Sequence, residues 1–316
     1  MSNEGRMATT MRANQRIAYY NGHYVPEGEV RVPFRDRGFL YGDAGFDLTR
    51  TFEGRPFKVK EHMDRLYRSL EYLGIDPKLS PDEMTEITEE VLRRNLHLRG
   101  EDDDFWLGQR ISRGLSAVGD EGWDQEGPTV IVECRPLPLR QRAAYYVDGI
   151  PVIVSSVRRV PPDSLSPRAK SHNYLNMIMA NLEVEAQNPR AWALLLDSNG
   201  NLAEGMGSNI FLVREGMLMT PPERIVLPGI SRQTVIELAG DLGIACEERD
   251  VDLFDAYNAD ECFLTSTSLC LCPVSTVNGR GIGSRSVPGP VTARLTDAYC
   301  ELVGYDIVAQ YKKHLS

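Results

Sequence analysis

Residues 135–142 read RPLPLRQR. Two prolines and three arginines in eight positions interrupt any strand or helix period, so the stretch reads as a linker. On its N-terminal side the chain reads as β-rich. IAYYNGHYV (17–25) places strand residues on both sides of Asn21-Gly22, a hairpin signal. Strands follow in GFDLTRTF (45–52) and RPFKV (55–59), turned at Glu53-Gly54. A helix is predicted from about Lys60 to Leu73, with Met63, Leu66 and Leu70 on one stripe and Gly74 as its stop. Ser80-Pro81-Asp82-Glu83 is a capping box that opens a second helix, turning Met84, Ile87 and Val91 inward. Strands then fit 104–113 and 129–134.

On the C-terminal side the pattern is mixed. A strand at 151–157 precedes the polar stretch RRVPPDSLSPRAK (158–170), then a helix over 173–186 and the strand AWALLLD (191–197). Asn199-Gly200 marks a turn. SNIFLV and GMLMT read as strands, and 231–242 reads as a helix ended by Gly243. ECFLTSTS (261–268) is a strand leading to a turn, and 289–303 a last helix. The expected plan is a flexible N-terminus (1–16), a small α+β domain (17–135), a linker (136–145) and a larger α/β domain (146–316). Ligand sites favour the cleft between such domains.

Composition bounds the function. The 316 residues carry 35 basic and 45 acidic side chains, a net charge of −10, which argues against nucleic acid and anionic membranes as partners. No apolar run is long enough to span a bilayer, and the polar first residues lack a secretory core. The six cysteines form no CxxC pair and the five histidines are scattered, so no metal site is expected. The thiols read as buried and free, as in a cytoplasmic protein.

Of six lysines, five lie near helix starts, in a proline loop or near residue 312. Lys170 differs, because it joins a proline-rich loop to the apolar run SHNYLNMIMA. Desolvation there lowers an amine's pKa, and a neutral amine attacks carbonyls to form a Schiff base. Leu227-Pro228-Gly229-Ile230-Ser231-Arg232 opens a helix whose free N–H groups suit an anion. Thr265-Ser266-Thr267-Ser268 adds hydroxyls at a strand end. His62 and Leu66 share a helix face with Arg65 beside them, and Glu204 sits among glycines that let a ligand approach. Each feature alone also fits an ordinary solvated or capped position.

Taken in order, DRGFLYGDAGFD (36–47), EHMDRL (61–66), KSHNYLN (170–176), LAEGMGSNIF (202–211), LPGISR (227–232), FLTSTS (263–268) and VPGPVT (287–292) resemble the class IV, fold-type IV aminotransferases. The resemblance covers about residues 17–305 and implies pyridoxal 5'-phosphate as cofactor. It implies that Lys170 bonds to the cofactor aldehyde and shuttles the proton, and that Glu204 pairs with the ring nitrogen. Arg65, the Ile230 and Ser231 amides and Thr267 are then expected on the phosphate. Tyr174, four residues along the expected helix, is expected near the cofactor's phenolic oxygen, with Asn173 beside it. The reaction implied moves an amino group from an amine donor to a 2-oxo acid by a ping-pong course, in a homodimer.

The substrate is less legible. Tyr41, Phe46 and Arg50 are similar to the small-domain strand of branched-chain aminotransferases. That group's strand arginine falls on Gly108 here, and Arg110, two residues on and so on the same strand face, is the candidate substitute for binding the carboxylate. The D-amino-acid enzymes' Arg-x-His pair is absent from LSAVGDEGWDQEG (115–127). The loop 115–128 is similar in length to that of (R)-selective amine transaminases and reads as an acidic lid. Leu40, Phe46, Leu48 and Leu269 suggest an apolar pocket wall, with Ser268 in the turn beside it. The reading is a transaminase for hydrophobic amino acids or amines, branched-chain-like or (R)-amine-type. A D-amino-acid aminotransferase and an aminodeoxychorismate lyase-type enzyme, which SLCLCPV (268–274) resembles, remain the alternatives.

Overall fold

The computed structural model describes residues 14–115, 127–284 and 287–315. Most of the expected flexible N-terminus (1–16) and of the acidic lid lies outside the described residues. Asn21 and Gly22 take φ of 44° and 94°, which lets β1 (Ile17–Tyr20) fold back as β2 (His23–Pro26). Asp36 caps the one-turn helix α1 (Arg37–Tyr41), and a left-handed Gly42 ends it before β3 (Ala44–Phe52). The strand expected over 55–59 shrinks to β4 (Arg55–Pro56), because Lys58 adopts φ 50° and helix α2 (Val59–Leu73) starts at once. The capping box at Ser80 and Glu83 forms as predicted and opens α3 (Pro81–Asn95). The strands β5 (Phe105–Ser112) and β6 (Thr129–Pro136) follow.

Among the described residues these six strands form one antiparallel sheet in the order β2-β1-β6-β5-β3-β4. Strand alternation gives it two faces. Leu107, Ile111, Val130 and Val132 pack against Met63, Leu66, Leu70, Met84 and Val91 of α2 and α3. Each such buried side chain contributes about 1.5–3 kcal/mol. Trp106, Gly108 and Arg110 of β5 therefore face the other way, toward the second half of the chain.

The segment expected as a linker is structured. It carries α4 (Leu139–Arg142) and α5 (Tyr145–Asp148), and Leu137, Leu139 and Tyr146 are buried in the larger core. The second sheet runs β12 (Cys246–Glu248), β11 (Met217–Thr220), β10 (Ser208–Arg214), β13 (Glu261–Ser266), β14 (Cys270–Val277), β7 (Ile150–Val154), β8 (Trp192–Leu194). Strand β9 (Glu204–Gly205) pairs with β10, and β15 (Arg280–Gly281) with β14. It is mixed: β7 lies parallel to both β14 and β8. Helices α6 (Leu175–Gln187), α7 (Ile230–Asp241), α8 (Leu253–Tyr257), α9 (Pro290–Val303) and α10 (Ile307–Lys312) accompany it.

Helix α6 starts two residues later than the sequence pattern predicts. Gly45 and Ser171 form a β-bridge, and His172 N–H donates to Ala44 C=O at 2.8 Å, so 170–172 is pinned as extended chain beside β3. Tyr174 is consequently the N-cap of α6, not part of its helix. No described helix is long and apolar enough to cross a membrane. All six cysteines are free, four of them buried.

Candidate active site

Lys170 lies between the two sheets, 8% exposed. Its backbone is held on both sides: its N–H donates to Ser69 Oγ at 3.1 Å, and its carbonyl accepts from Phe46 N–H at 2.9 Å. The amine stands 4.6 Å from the centre of the Phe46 ring and donates to Tyr174 Oη at 3.4 Å. A cation on an aromatic face, with one long hydrogen bond, is only partly satisfied.

The cleft around this amine is lined by Glu204, Ser231, Arg65, Thr267 and Tyr174 among others. Glu204, on β9, is buried. Its Oε1 accepts from Arg159 Nε at 3.0 Å and its Oε2 from Leu227 N–H at 3.0 Å. Burial pushes its carboxyl above the ordinary range, with Arg159 and the Leu227 amide opposing. Arg65, on α2, donates through Nε and Nη2 to the two oxygens of Asp47 at 2.8 and 2.7 Å, and through Nη1 to Pro228 C=O at 3.1 Å. His62 Nδ1 stands 2.7 Å from Asp47 Oδ1. Burial raises the Asp47 carboxyl, yet Arg65 and His62 more than offset it and hold the group well below its usual range.

The helix α7 opens at Gly229 with no side-chain cap, so its first N–H groups face the cleft unpaired. Gly229 cannot be replaced without movement: a Cβ there would sit 2.2 Å from Asn209 Oδ1. Ser231 Oγ donates to Ser266 C=O at 3.0 Å and ties this helix start to the end of β13. Around the same cleft, the Arg232 guanidinium is held by Glu248 at 2.6 Å and lies 3.8 Å from Glu223, while Ser208 Oγ and Thr265 Oγ1 are buried without a hydrogen-bond partner. Buried polar atoms are normally paired, so these donors mark a cleft built for a polar, anionic ligand. A phosphate on a pyridine ring fits that donor set, with Glu204 available for the ring nitrogen.

The residues singled out on the substrate side separate. Phe46 is buried against Lys170, and its ring lies 5.2 Å from that of His172. Arg110 is cross-strand from Phe46, but its guanidinium is taken by Glu133 (Nε to Oε1 3.0 Å, Nη2 to Oε1 2.9 Å), leaving Nη1 3.4 Å from His172 Nε2. A Cβ at Gly108 would meet Glu133 Oε1 at 2.8 Å and Leu48 Cδ2 at 2.9 Å, so those two side chains would have to move to admit one. Tyr41 projects outward, 64% exposed, over Arg37, and does not line the cleft of this chain. Leu40 is exposed as well. Leu269 belongs to the larger core and is no pocket wall, since the turn at Ser268 rolls its side chain inward.

That turn gathers around Arg50, which the sequence resemblance singled out, residues that sequence reading missed. Arg50 is fully buried, and its Nη1 donates to Ser268 C=O at 2.9 Å and lies 3.2 Å from Cys270 Sγ. Tyr311 also donates to Ser268 C=O, and Tyr146 to Leu269 C=O. Cys270 holds a left-handed φ of 57° behind them. Asp47 and Arg159 escape sequence reading for the same reason, that their partners are distant in sequence. The acid one residue after Phe46 is the available hint for Asp47.

Residues 44–277 match the family model described as amino-transferase class IV. A putative branched-chain-amino-acid aminotransferase of Methanocaldococcus jannaschii is 39% identical over 288 residues, covering 90% of this chain and 95% of the relative. The branched-chain-amino-acid aminotransferase of Escherichia coli K12 is 31% identical over 302 residues, covering 92% and 93%. Among solved structures, a branched-chain amino acid aminotransferase complexed with N-(5'-phosphopyridoxyl)-L-glutamate superimposes with a TM-score of 0.80 at 32% identity, covering 92% of this chain and 94% of that one. The Escherichia coli enzyme gives a TM-score of 0.82 at 30% identity, covering 92% and 95%.

Proposed function

The chain belongs to the class IV aminotransferase family, and on that premise we propose that it moves an amino group between a hydrophobic amino acid or amine and a 2-oxo acid, with pyridoxal 5'-phosphate held at Lys170. One observation carries the reading: a buried amine, a buried carboxylate and an uncapped helix start share a single cleft. The solved neighbour whose ligand is a phosphopyridoxyl glutamate supports the cofactor.

When bound, the cofactor supplies an aldehyde that condenses with amines and a ring that withdraws electrons. Glu204, desolvated but held by Arg159, is the group that keeps a ring nitrogen protonated. Arg65, the Ile230 and Ser231 amides and Thr267 take the phosphate, and the Asp47 pair fixes the angle of the Arg65 plane. Lys170 would be the residue joined to the cofactor aldehyde and the one placed to hold and move a proton at the substrate carbon, since its amine lies in the cleft. Tyr174 Oη orients the amine from one side and the Phe46 ring excludes water from the other. Arg110 keeps one guanidinium edge toward His172, and Arg50 holds the turn at Ser268.

The working unit we infer is a homodimer. Phe34, Phe39 and Tyr41 on one side and Leu175, Met179 and Leu182 on α6 are exposed, and the two groups adjoin where Asn173 Nδ2 donates to Gly42 C=O at 3.0 Å. Apolar patches this close to a site mark a surface that is covered in use, and a second copy brings Tyr41 to a cleft that it does not reach in its own chain. The small domain (17–135) and the large (146–316) then enclose the cofactor from two sides. Six free thiols support a cytoplasmic setting.

The test is a donor panel on the cofactor-loaded protein: L-leucine, D-alanine and (R)-1-phenylethylamine against 2-oxoglutarate or pyruvate. Acceptor-dependent product with any donor supports a transaminase. Product that forms without acceptor supports a lyase instead. Silence with every donor removes the reading, and borohydride labelling of a residue other than Lys170 removes its centre.

A further inference from the structure

A second cavity, of about 470 Å³, stands against the cofactor cleft. That volume falls within the range of about 300–1,000 Å³ usual for small-molecule sites. The two share Arg65, Ser166, Ala169 and Ile230, so the wall between them is thin. Along 165–169, Pro167 is buried and lines the cleft alone, while Arg168 is exposed and lines the outer cavity alone. At the start of α7, Gly229 lines the cleft and Pro228 the outer cavity. Ser166 N–H donates to Tyr72 Oη at 3.2 Å, which sets this wall against α2. Arg65 and Ile230, both expected on the phosphate, are therefore open to the outer cavity as well.

The charges on this cavity are not matched. Arg65 is held by Asp47. Asp64 is paired with Lys60 at 2.8 Å, and Glu223 stands 3.8 Å from Arg232. Arg68 and Arg168 remain. Among the described residues neither forms an ion pair, and Arg68 Nε makes only a long hydrogen bond, 3.3 Å, to Asp64 C=O of its own helix. Glu61 is the one carboxylate of the lining without an ion pair among the described residues. Two guanidinia against one carboxylate leave the lining positive, and the uncapped start of α7 adds its partial positive charge. The chain as a whole carries −10. A phosphate dianion is repelled by that overall charge, so a local positive inlet decides where it comes in.

We propose that Arg68 and Arg168 form an outer docking site for a phosphomonoester dianion, and that the phosphate of the free cofactor passes from them to Arg65 and the start of α7. This rests on the cofactor reading above and is independent of which amine the enzyme uses. The order of the groups fits the passage. An ion entering from solvent meets two exposed guanidinia first and the buried Arg65 next, so each step offers a better fixed donor. Exposed cations of this kind raise an association rate more than they hold a ligand once it is seated. Inorganic phosphate offers the same dianion chemistry and would stop in the outer cavity.

The full-length protein, stripped of cofactor, is mixed with pyridoxal 5'-phosphate in stopped flow, and uptake is read by absorbance. The wild type, the double variant Arg68→Gln/Arg168→Gln and Glu61→Gln are compared. At low salt the double variant should load about 10-fold or more slowly, and Glu61→Gln about twofold faster, since steering acts on the on-rate. Pyridoxal, which lacks the phosphate, should load all three at one rate. In about 0.5 M KCl the three rates with the phosphorylated cofactor should converge. Release of bound cofactor, and kcat of the loaded enzyme, should stay within about twofold. Inorganic phosphate should slow uptake by the wild type and leave the double variant unaffected. An on-rate unchanged in the double variant at low salt overturns the docking site. So does a slower rate in Glu61→Gln, because removing either sign of charge would then do the same damage. Phosphate that binds the loaded wild type through Arg68 and Arg168, read by phosphorus NMR, without slowing cofactor uptake overturns the passage in favour of a separate anion site. A wild type that takes up no cofactor at all overturns the cofactor reading itself.

Discussion

Asp47 holds one guanidinium and one imidazole with a single carboxylate, and its two neighbours divide the work. Arg65 takes both oxygens and His62 shares one of them, all out of water. Asp47→Asn leaves the Arg65 charge buried with a neutral partner, and breaking a buried pair of this kind costs about 3–5 kcal/mol. The expected outcome is a lower urea midpoint together with weaker retention of pyridoxal phosphate, read by absorbance during dialysis. His172 supplies a pH prediction. Burial first, then Arg110, pushes its imidazole down to about 4, against about 6.5 when unfolded. A depressed folded value means that the unfolded chain gains a proton first as pH falls. Stability linked to His172 is therefore fully present above about 6.5 and is lost on the way down to about 4. His172→Phe should flatten that part of a plot of urea midpoint against pH. Neither pairing is readable from sequence: the Asp47 and His62 positions are visible there, but β3 and α2 are brought face to face only by the packing of the whole small sheet.

At the level of elements, the sequence is most legible where the physics is local. The Asn21-Gly22 hairpin, the Ser80 capping box and the glycine stops at Gly74 and Gly243 depend on neighbours within four residues, and all are present. The segment after Lys170 reads as entering a helix but does not, because the hydrogen bonds that decide it come from Ala44 and Phe46 more than 120 residues away. Leu269 reads as pocket wall for a similar reason. A hydrophobic residue in a turn gives no sign of which way the turn rolls, and here Arg50, Tyr146 and Tyr311 pull its carbonyls inward. That arrangement makes Arg50 a positioning residue for the turn at 266–270. Arg50→Lys keeps the charge but cannot span Ser268, Thr51 and Gln310 together. KM for the amino donor should rise by about tenfold while cofactor absorbance is unchanged, since one or two hydrogen bonds are lost. Tyr311→Phe should move KM in the same direction by a smaller factor. A fall in kcat alone, at constant KM, argues for a different role.

For the molecule as a whole, the apolar faces on α1 and α6 set the prediction. Replacing Met179 and Leu182 by aspartate puts charge on exposed positions that no described residue covers. The monomer should fold with an unchanged urea midpoint. Mass measured by light scattering should halve, and turnover should fall by at least about tenfold if Tyr41 of a second copy completes the pocket. A double variant that keeps its mass and its rate overturns the dimer. The division into two sheets is foreseeable from the proline-rich stretch at 135–142, but its closeness is not. Leu137 and Leu139 are core residues of the larger unit, and Phe52 of the smaller sheet joins them.

The turn at Ser268 is fastened from behind by Tyr311 and by Arg50, which Gln310 in turn holds. During synthesis, then, a nascent chain that has already brought Lys170, Glu204 and the α7 start out of the ribosome still lacks the final wedge. Ribosomes must travel past codon 311, and the emerging helix must dock, before the enzyme can grip a substrate correctly.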